Sequence, residues 1–187
     1  MRRIMLIAFA SLAALTLLAG VATPQDLIRT EEVSATFQAR SIGDSNVKTC
    51  RAPDGTYSRF EADFAGSLVA GREEELDLVV RGFEVLANQE TGLGAVEAKW
   101  ALRSADGTKS GSGELIAVFI SGVVPPDPDF GEVDGMFLGD FGDPGGSRRV
   151  LWNFSAQLTD GGRTLTGAIG DPTLAPNPAI LFPPDPC

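Results

Sequence analysis

The stretch from Val96 to Ala117 constrains the fold more tightly than any other part of the chain. Apolar side chains recur at every second position in Val96, Ala98, Trp100 and Leu102; Asp106-Gly107 then interrupts, and Gly111, Gly113, Leu115 and Ala117 resume the period. Period two marks a half-buried strand, and a D-G pair between two such runs marks a hairpin turn. With Asp106 and Gly107 as the central turn residues, Leu102 faces Gly111, Trp100 faces Gly113, Ala98 faces Leu115 and Val96 faces Ala117. The apolar rows then coincide on one face. Two glycines leave room for Leu102 and Trp100, and Lys99 opposes Glu114 on the other face as an opposite-charge cross-strand pair.

The same construction applies at two further turns. With Asp160-Gly161 as the turn, Leu158 meets Arg163, Ala156 meets Leu165, Phe154 meets Gly167 and Trp152 meets Ile169. With Asp54-Gly55 as the turn, Val47 meets Ala62 and Thr49 meets Phe60 inside, while Lys48 meets Glu61 and Cys50 meets Arg59 outside. The D-G-T runs at Asp54 and Asp106 also invite comparison with the phosphatase-type motif D-x-D-G-T. The nucleophilic aspartate is missing from both, since Ala52 and Ser104 stand in its place. They read as turns.

After residue 26 no sustained helical period occurs. Strands are expected near 32–42, 46–52, 56–69, 75–87, 94–104, 108–121, 135–141, 148–158 and 163–170, with Gly82 marking a bulge in the fourth. Eight or nine sequential antiparallel strands with short turns predict an all-β, up-and-down β-barrel, because closure removes exposed edges. A two-sheet β-sandwich is the alternative. An outer-membrane barrel shares the period, but one tyrosine and the Pro-Pro-Asp-Pro-Cys ending lack its aromatic girdles.

Two arginines, an apolar run from Ile4 to Ala22 and then Thr23-Pro24 have the layout of a secretory signal peptide, residues 1–22, with Gly20 and Ala22 at the cleavage spacing. The domain is expected over 23–187, in a secreted or periplasmic location. Without Arg2 and Arg3 the chain keeps 13 basic against 25 acidic side chains, a formal charge of −12. Such a surface repels phosphate backbones and anionic lipid heads, which argues against nucleic acid or membrane partners after cleavage. Two cysteines in an exported chain predict a disulfide between Cys50 and Cys187. Closing so long a loop would stabilise the fold by on the order of 4 to 5 kcal/mol. The proline-rich tail 171–187 would then run over the outside.

The chain has no histidine. That removes Ser-His-Asp and Cys-His catalysis and histidine general bases. Three places for function remain. The segment Ser121 to Ser147 reads as the longest irregular stretch, an acidic lid in which Asp127, Asp129 and Asp134 are candidate calcium ligands; no other cofactor is expected. The barrel interior, with Phe60, Trp100, Phe119, Trp152 and Phe154, is the candidate site for a small apolar ligand, and Arg163 falls on the inward row at its rim. The sixth strand is apolar on both faces, through Ile116, Val118 and Ile120 as well as Leu115, Ala117 and Phe119, and would need cover from the tail, a loop or a second subunit.

These features favour a non-catalytic small-molecule binding module. An isomerase or cyclase barrel working through Glu84, Asp134 or Asp140 is the enzyme alternative. A structural or protein-interaction domain is the third.

Overall fold

The computed structural model describes residues 34–71, 74–123 and 127–170. The leader 1–22, the tail 171–187 and Cys187 therefore lie outside the described residues. Nine strands follow one another: β1 (Ala35–Ser41), β2 (Asn46–Ala52), β3 (Gly55–Ala70), β4 (Glu74–Asn88), β5 (Leu93–Ser104), β6 (Ser110–Ser121), β7 (Gly131–Gly142), β8 (Arg148–Thr159) and β9 (Thr164–Ile169). There is no helix among the described residues. All pairings are antiparallel, in the order β1-β9-β8-β7-β6-β5-β4-β3, and β1 returns to β3. Eight strands thus close a barrel, and β2 lies outside the ring. The sandwich alternative is excluded.

β1 and β2 share one edge of β3. β1 pairs with Phe64 to Ala70 and β2 with Gly55 to Glu61. The handover falls at Asp63, where β3 shifts register against β4, and β4 in turn shifts against β5 between Arg81 and Glu84. Gly82, with φ of 58°, supplies the left-handed residue of that bulge. Asp63 holds it by accepting hydrogen bonds from the Gly82 amide and the Arg81 guanidinium, both at 2.7 Å. These two donors, Arg81 first, keep its carboxyl below the usual range.

Apolar rows point inward and form one core. Phe60, Phe64, Phe83, Val96, Ala117, Phe119 and Leu158 are fully buried. At β5 and β6 the register matches the sequence reading: Trp100 faces Gly113, Leu102 faces Gly111 and Lys99 faces Glu114. A Cβ on Gly113 would stand 1.8 Å from the Leu138 carbonyl oxygen. The space it vacates lets the Trp100 indole N–H donate to two carbonyls, those of Glu114 and Leu138, each at 3.1 Å. A buried indole requires such a partner.

The other two hairpin registers need correction. Val47 pairs with Phe60 and Cys50 with Tyr57, because the turn is Ala52-Pro53-Asp54-Gly55. Proline at the second and glycine at the fourth position suit that turn better than a centre at Asp54-Gly55. Leu158 pairs with Leu165 and Phe154 with Ile169. There Asp160, Gly161 and Gly162 all take left-handed φ values of 57°, 62° and 73°, lengthening the loop to four residues. Both slips are by two residues, which preserves the alternation within the paired strands. Val47 and Thr49, expected inside, are nevertheless exposed because β2 lies outside the ring, and Arg163 falls into the lengthened loop.

The reading of Ser121 to Ser147 as one irregular stretch is also corrected. β7 occupies Gly131–Gly142, and Val133, Gly135, Phe137, Gly139 and Phe141 form its inward row. Three glycines and aspartates hide that period in the sequence.

Candidate functional site

The two ends of the barrel differ. At one end the β8–β9 turn folds inward. A Cβ on Gly162 would lie 2.4 Å from the Phe60 ring and 3.1 Å from the Asp129 side chain, and Pro128 is buried beside it. Phe60 also packs edge-to-face on Phe83, with centroids 6.4 Å apart, and Phe83 on Phe64 at 5.2 Å. Phe119 is fully buried toward the same end. This end is sealed.

The opposite end lies where β5 and β7 finish and β6 and β8 begin. Here Trp152, Phe141 and Val150 are only partly buried while facing the core. Trp152 lies 5.9 Å from Trp100 and 5.5 Å from Phe141 between ring centroids. Trp100 is 2 % exposed and forms the floor, backed by Phe137 at 5.8 Å; Phe137 in turn packs on Phe154 at 4.8 Å. Gly111, Gly113 and Gly139 contribute no side chains to this wall, which leaves the indoles and Phe141 as its surface. The result is an aromatic mouth on a filled interior.

The rim of this mouth carries charge that is internally matched. Lys109 donates to both oxygens of Glu74, at 2.7 and 2.9 Å. That bond, together with the charges of Asp143 and Asp106, raises the lysine's pKa. Next to it Asp106 accepts from the Ser104 hydroxyl at 2.7 Å and from the Thr108 amide and hydroxyl at 3.0 and 2.8 Å. Those donors, Ser104 first, lower its pKa to about 2. The D-G-T sequence is a self-capped turn in which the threonine serves the aspartate. In the earlier repeat Tyr57 plays the corresponding part, donating to Asp54 at 2.9 Å.

The expected ligand-binding residues therefore separate. Trp100, Trp152 and Phe154 come together toward the open mouth; Phe60 and Phe119 belong to the sealed end. Arg163 is corrected: it is exposed in the β8–β9 turn at the sealed end, where its carbonyl accepts from the Ser41 amide at 2.9 Å. The two-residue slip of that hairpin moved it off the inward row. Phe137 and Phe141 were not among the expected site residues, although the strand that carries them was expected at 135–141.

Asp127 and Asp129 are neighbours above the sealed end, with the Asp129 amide 3.4 Å from the Asp127 carboxylate. Burial, a hydrogen bond to Asp127 and its negative charge push Asp129 up to about 6. Asp134 stands apart from them, on the outer wall of β7 opposite Ser155. No group of three potential metal ligands gathers among the described residues. Glu84 and Asp140 also face outward, Glu84 bridged to Arg59 at 2.8 Å. Cys50 lies on the outward row beside Tyr57 and is not a free thiol. Two open grooves mark the outer wall, one bordered by Val79, Ala101 and Ser112, the other by Ile42, Glu61 and Gly82.

Comparison with protein-family models, with curated proteins and with solved structures finds no match.

Proposed function

We propose that this barrel is a non-catalytic binding module of the exported space, and that it takes a small, uncharged, largely apolar ligand at the mouth formed by Trp152, Phe141 and Val150. One observation carries the reading: among the inward aromatics of the described residues, Trp152 and Phe141 alone keep partial exposure, at the end where glycines replace side chains on the neighbouring wall. Half-exposed aromatic surface over a rigid floor is what an apolar ligand gains most by covering. An uncharged guest fits a rim that carries both signs, with Lys109 bonded to Glu74 beside Asp106 and Asp143, and Arg103, Arg148 and Arg149 at the same end. A disulfide between Cys50 and Cys187 belongs to the same exported setting.

Catalysis by an inward carboxylate receives less support. Glu84, Asp134 and Asp140 lie on the outer wall, and Glu74 at the rim is bound to Lys109.

The test is titration with an uncharged apolar fluorophore such as N-phenylnaphthylamine. Saturable probe emission sensitised by tryptophan is expected, and it should be lost in Trp152→Ala but kept in Phe60→Leu. Equal response in both variants, or none in the parent protein, would overturn the reading.

A further inference from the structure

One row on the outside of the barrel is shielded in a way the barrel wall alone does not account for. The register aligns Ser155, Asp134, Val118, Ala95, Leu86 and Arg59 across six adjacent strands, all on the outward face. Every one is buried or half-buried; Leu86 and Ala95 are each 8 % exposed. The Asp134 Oδ1 atom is cut off from solvent and has no hydrogen-bond partner among the described residues. Two residues along each strand, the parallel row of Gln157, Glu132, Ile120 and Leu93 is exposed, Ile120 at 42 % and Leu93 at 53 %. On the other side Asn153, Met136, Ile116, Glu84 and Glu61 of the next row are half-buried as well. A shielded band running across the strands, with an exposed row along one edge, is the footprint of an extended segment laid over them.

The occupant is identified by where the described chain stops. Gly170 donates its amide to the Asn153 carbonyl, two residues from Ser155 at one end of the stripe. Cys50 lies beside Tyr57, two residues from Arg59 at the other end, and is not a free thiol. From Ser155 to Arg59 there are five strand-to-strand steps of ~4.8 Å, about 24 Å at the wall and more at the larger radius of a covering layer. Residues 171–187, seventeen of them with six prolines, reach about 53 Å as a polyproline-like strand. That is sufficient, with little slack once the radius is included. The segment also brings Ala179-Ile180-Leu181-Phe182, an apolar run suited to Val118, Ala95 and Leu86.

We propose that residues 171–187 form a belt around the outer wall, crossing from β8 over β7, β6, β5 and β4 to β3, and that a Cys187 to Cys50 disulfide buckles it. The bond forms by thiol–disulfide exchange: both thiols lose their hydrogens, and an oxidised dithiol partner accepts the two electrons and two protons. A belt of this kind covers the second apolar face of β6 without a partner subunit. It also places a tail amide within reach of the stranded Asp134 oxygen.

The full chain tests this by photo-crosslinking. A benzophenone amino acid at Val118 is expected to capture the peptide containing Ile180 to Phe182, whereas the same group at Gln38, on the exposed outer face of β1, is not. Intact mass should rise by two hydrogens on reduction, with no change in oligomeric state. Capture of the tail from Gln38 and not from Val118, or of a second copy from Val118, would overturn the proposal. So would a free thiol at Cys50 or a disulfide joining two chains.

Discussion

Gly113→Ala probes the point at which sequence pattern, packing and hydrogen bonding converge. The added methyl would lie 1.8 Å from the Leu138 carbonyl oxygen and 2.6 Å from the Gly139 Cα, both backbone atoms of the paired strand. β6 and β7 must therefore part locally, at an overpacking cost of about 1 to 3 kcal/mol. The same carbonyl accepts from Trp100, whose indole N–H bridges Glu114 and Leu138 at 3.1 Å. Weakening that buried bond adds about 1 to 2 kcal/mol. The expected loss is about 2 to 5 kcal/mol, or roughly 10 °C in Tm for a domain of this size. Urea unfolding monitored by tryptophan emission measures it, with Ser112→Ala on the outer face of the same strand as control, expected within about 0.5 kcal/mol of the parent. A Gly113→Ala protein as stable as the control would refute the argument that this glycine exists to seat Trp100.

Asp129, raised to about 6 from the ordinary 3.8, holds its proton in the folded state where the unfolded chain has lost it. Stability from this group is therefore greatest below pH 4, falls as pH rises to about 6 and is flat above; Asp129→Asn should remove that decline and gain about 1 kcal/mol at pH 7.5, measured by urea unfolding at pH 4.5 and 7.5. Asp63 has the opposite sign, since its folded pKa is lowered: its contribution is present above pH 4 and is lost as pH falls through the lowered value. Asp63→Asn should cost about 1 kcal/mol at neutral pH, because the pair with Arg81 is largely solvent-exposed, and should flatten the acid limb of the stability profile. Arg163→Ala, in an exposed turn remote from the mouth, should leave both probe affinity and stability within about 0.5 kcal/mol of the parent.

The alternation of apolar residues carried the strand inventory, and within the barrel strands the face of each side chain survived even where register did not. Val47 on the outer strand and Arg163 in the turn, by contrast, lost the inward places expected of them. A hairpin slip by two preserves the inside and the outside, so the sequence pattern could not distinguish Phe60 opposite Thr49 from Phe60 opposite Val47. The deciding information was turn chemistry: Pro53 at the second position in one hairpin, and three consecutive left-handed residues in the other. β7 was expected only over 135–141, shorter than its observed Gly131–Gly142, because glycines at 131, 135 and 139 fill inward positions that a pattern search expects to be apolar. Those glycines are there because neighbouring rings and carbonyls approach within 3 Å of where a Cβ would stand. Part of the candidate site was legible for the same reason. Trp100 and Trp152 lie on strands with strict alternation, whereas Phe141 and the rim pair Glu74–Lys109 depend on how distant strands meet at one end of the ring.

Nuclear magnetic resonance of the two indole N–H signals tests the aromatic mouth most directly, because Trp152 is partly exposed there and Trp100 is buried with its N–H bonded to two carbonyls. On titration with an uncharged apolar probe, a saturable shift of the Trp152 signal is expected, with a much smaller one for Trp100. No shift at Trp152, while resonances of Phe60 and Phe119 at the sealed end move instead, would contradict the assignment of binding to this mouth.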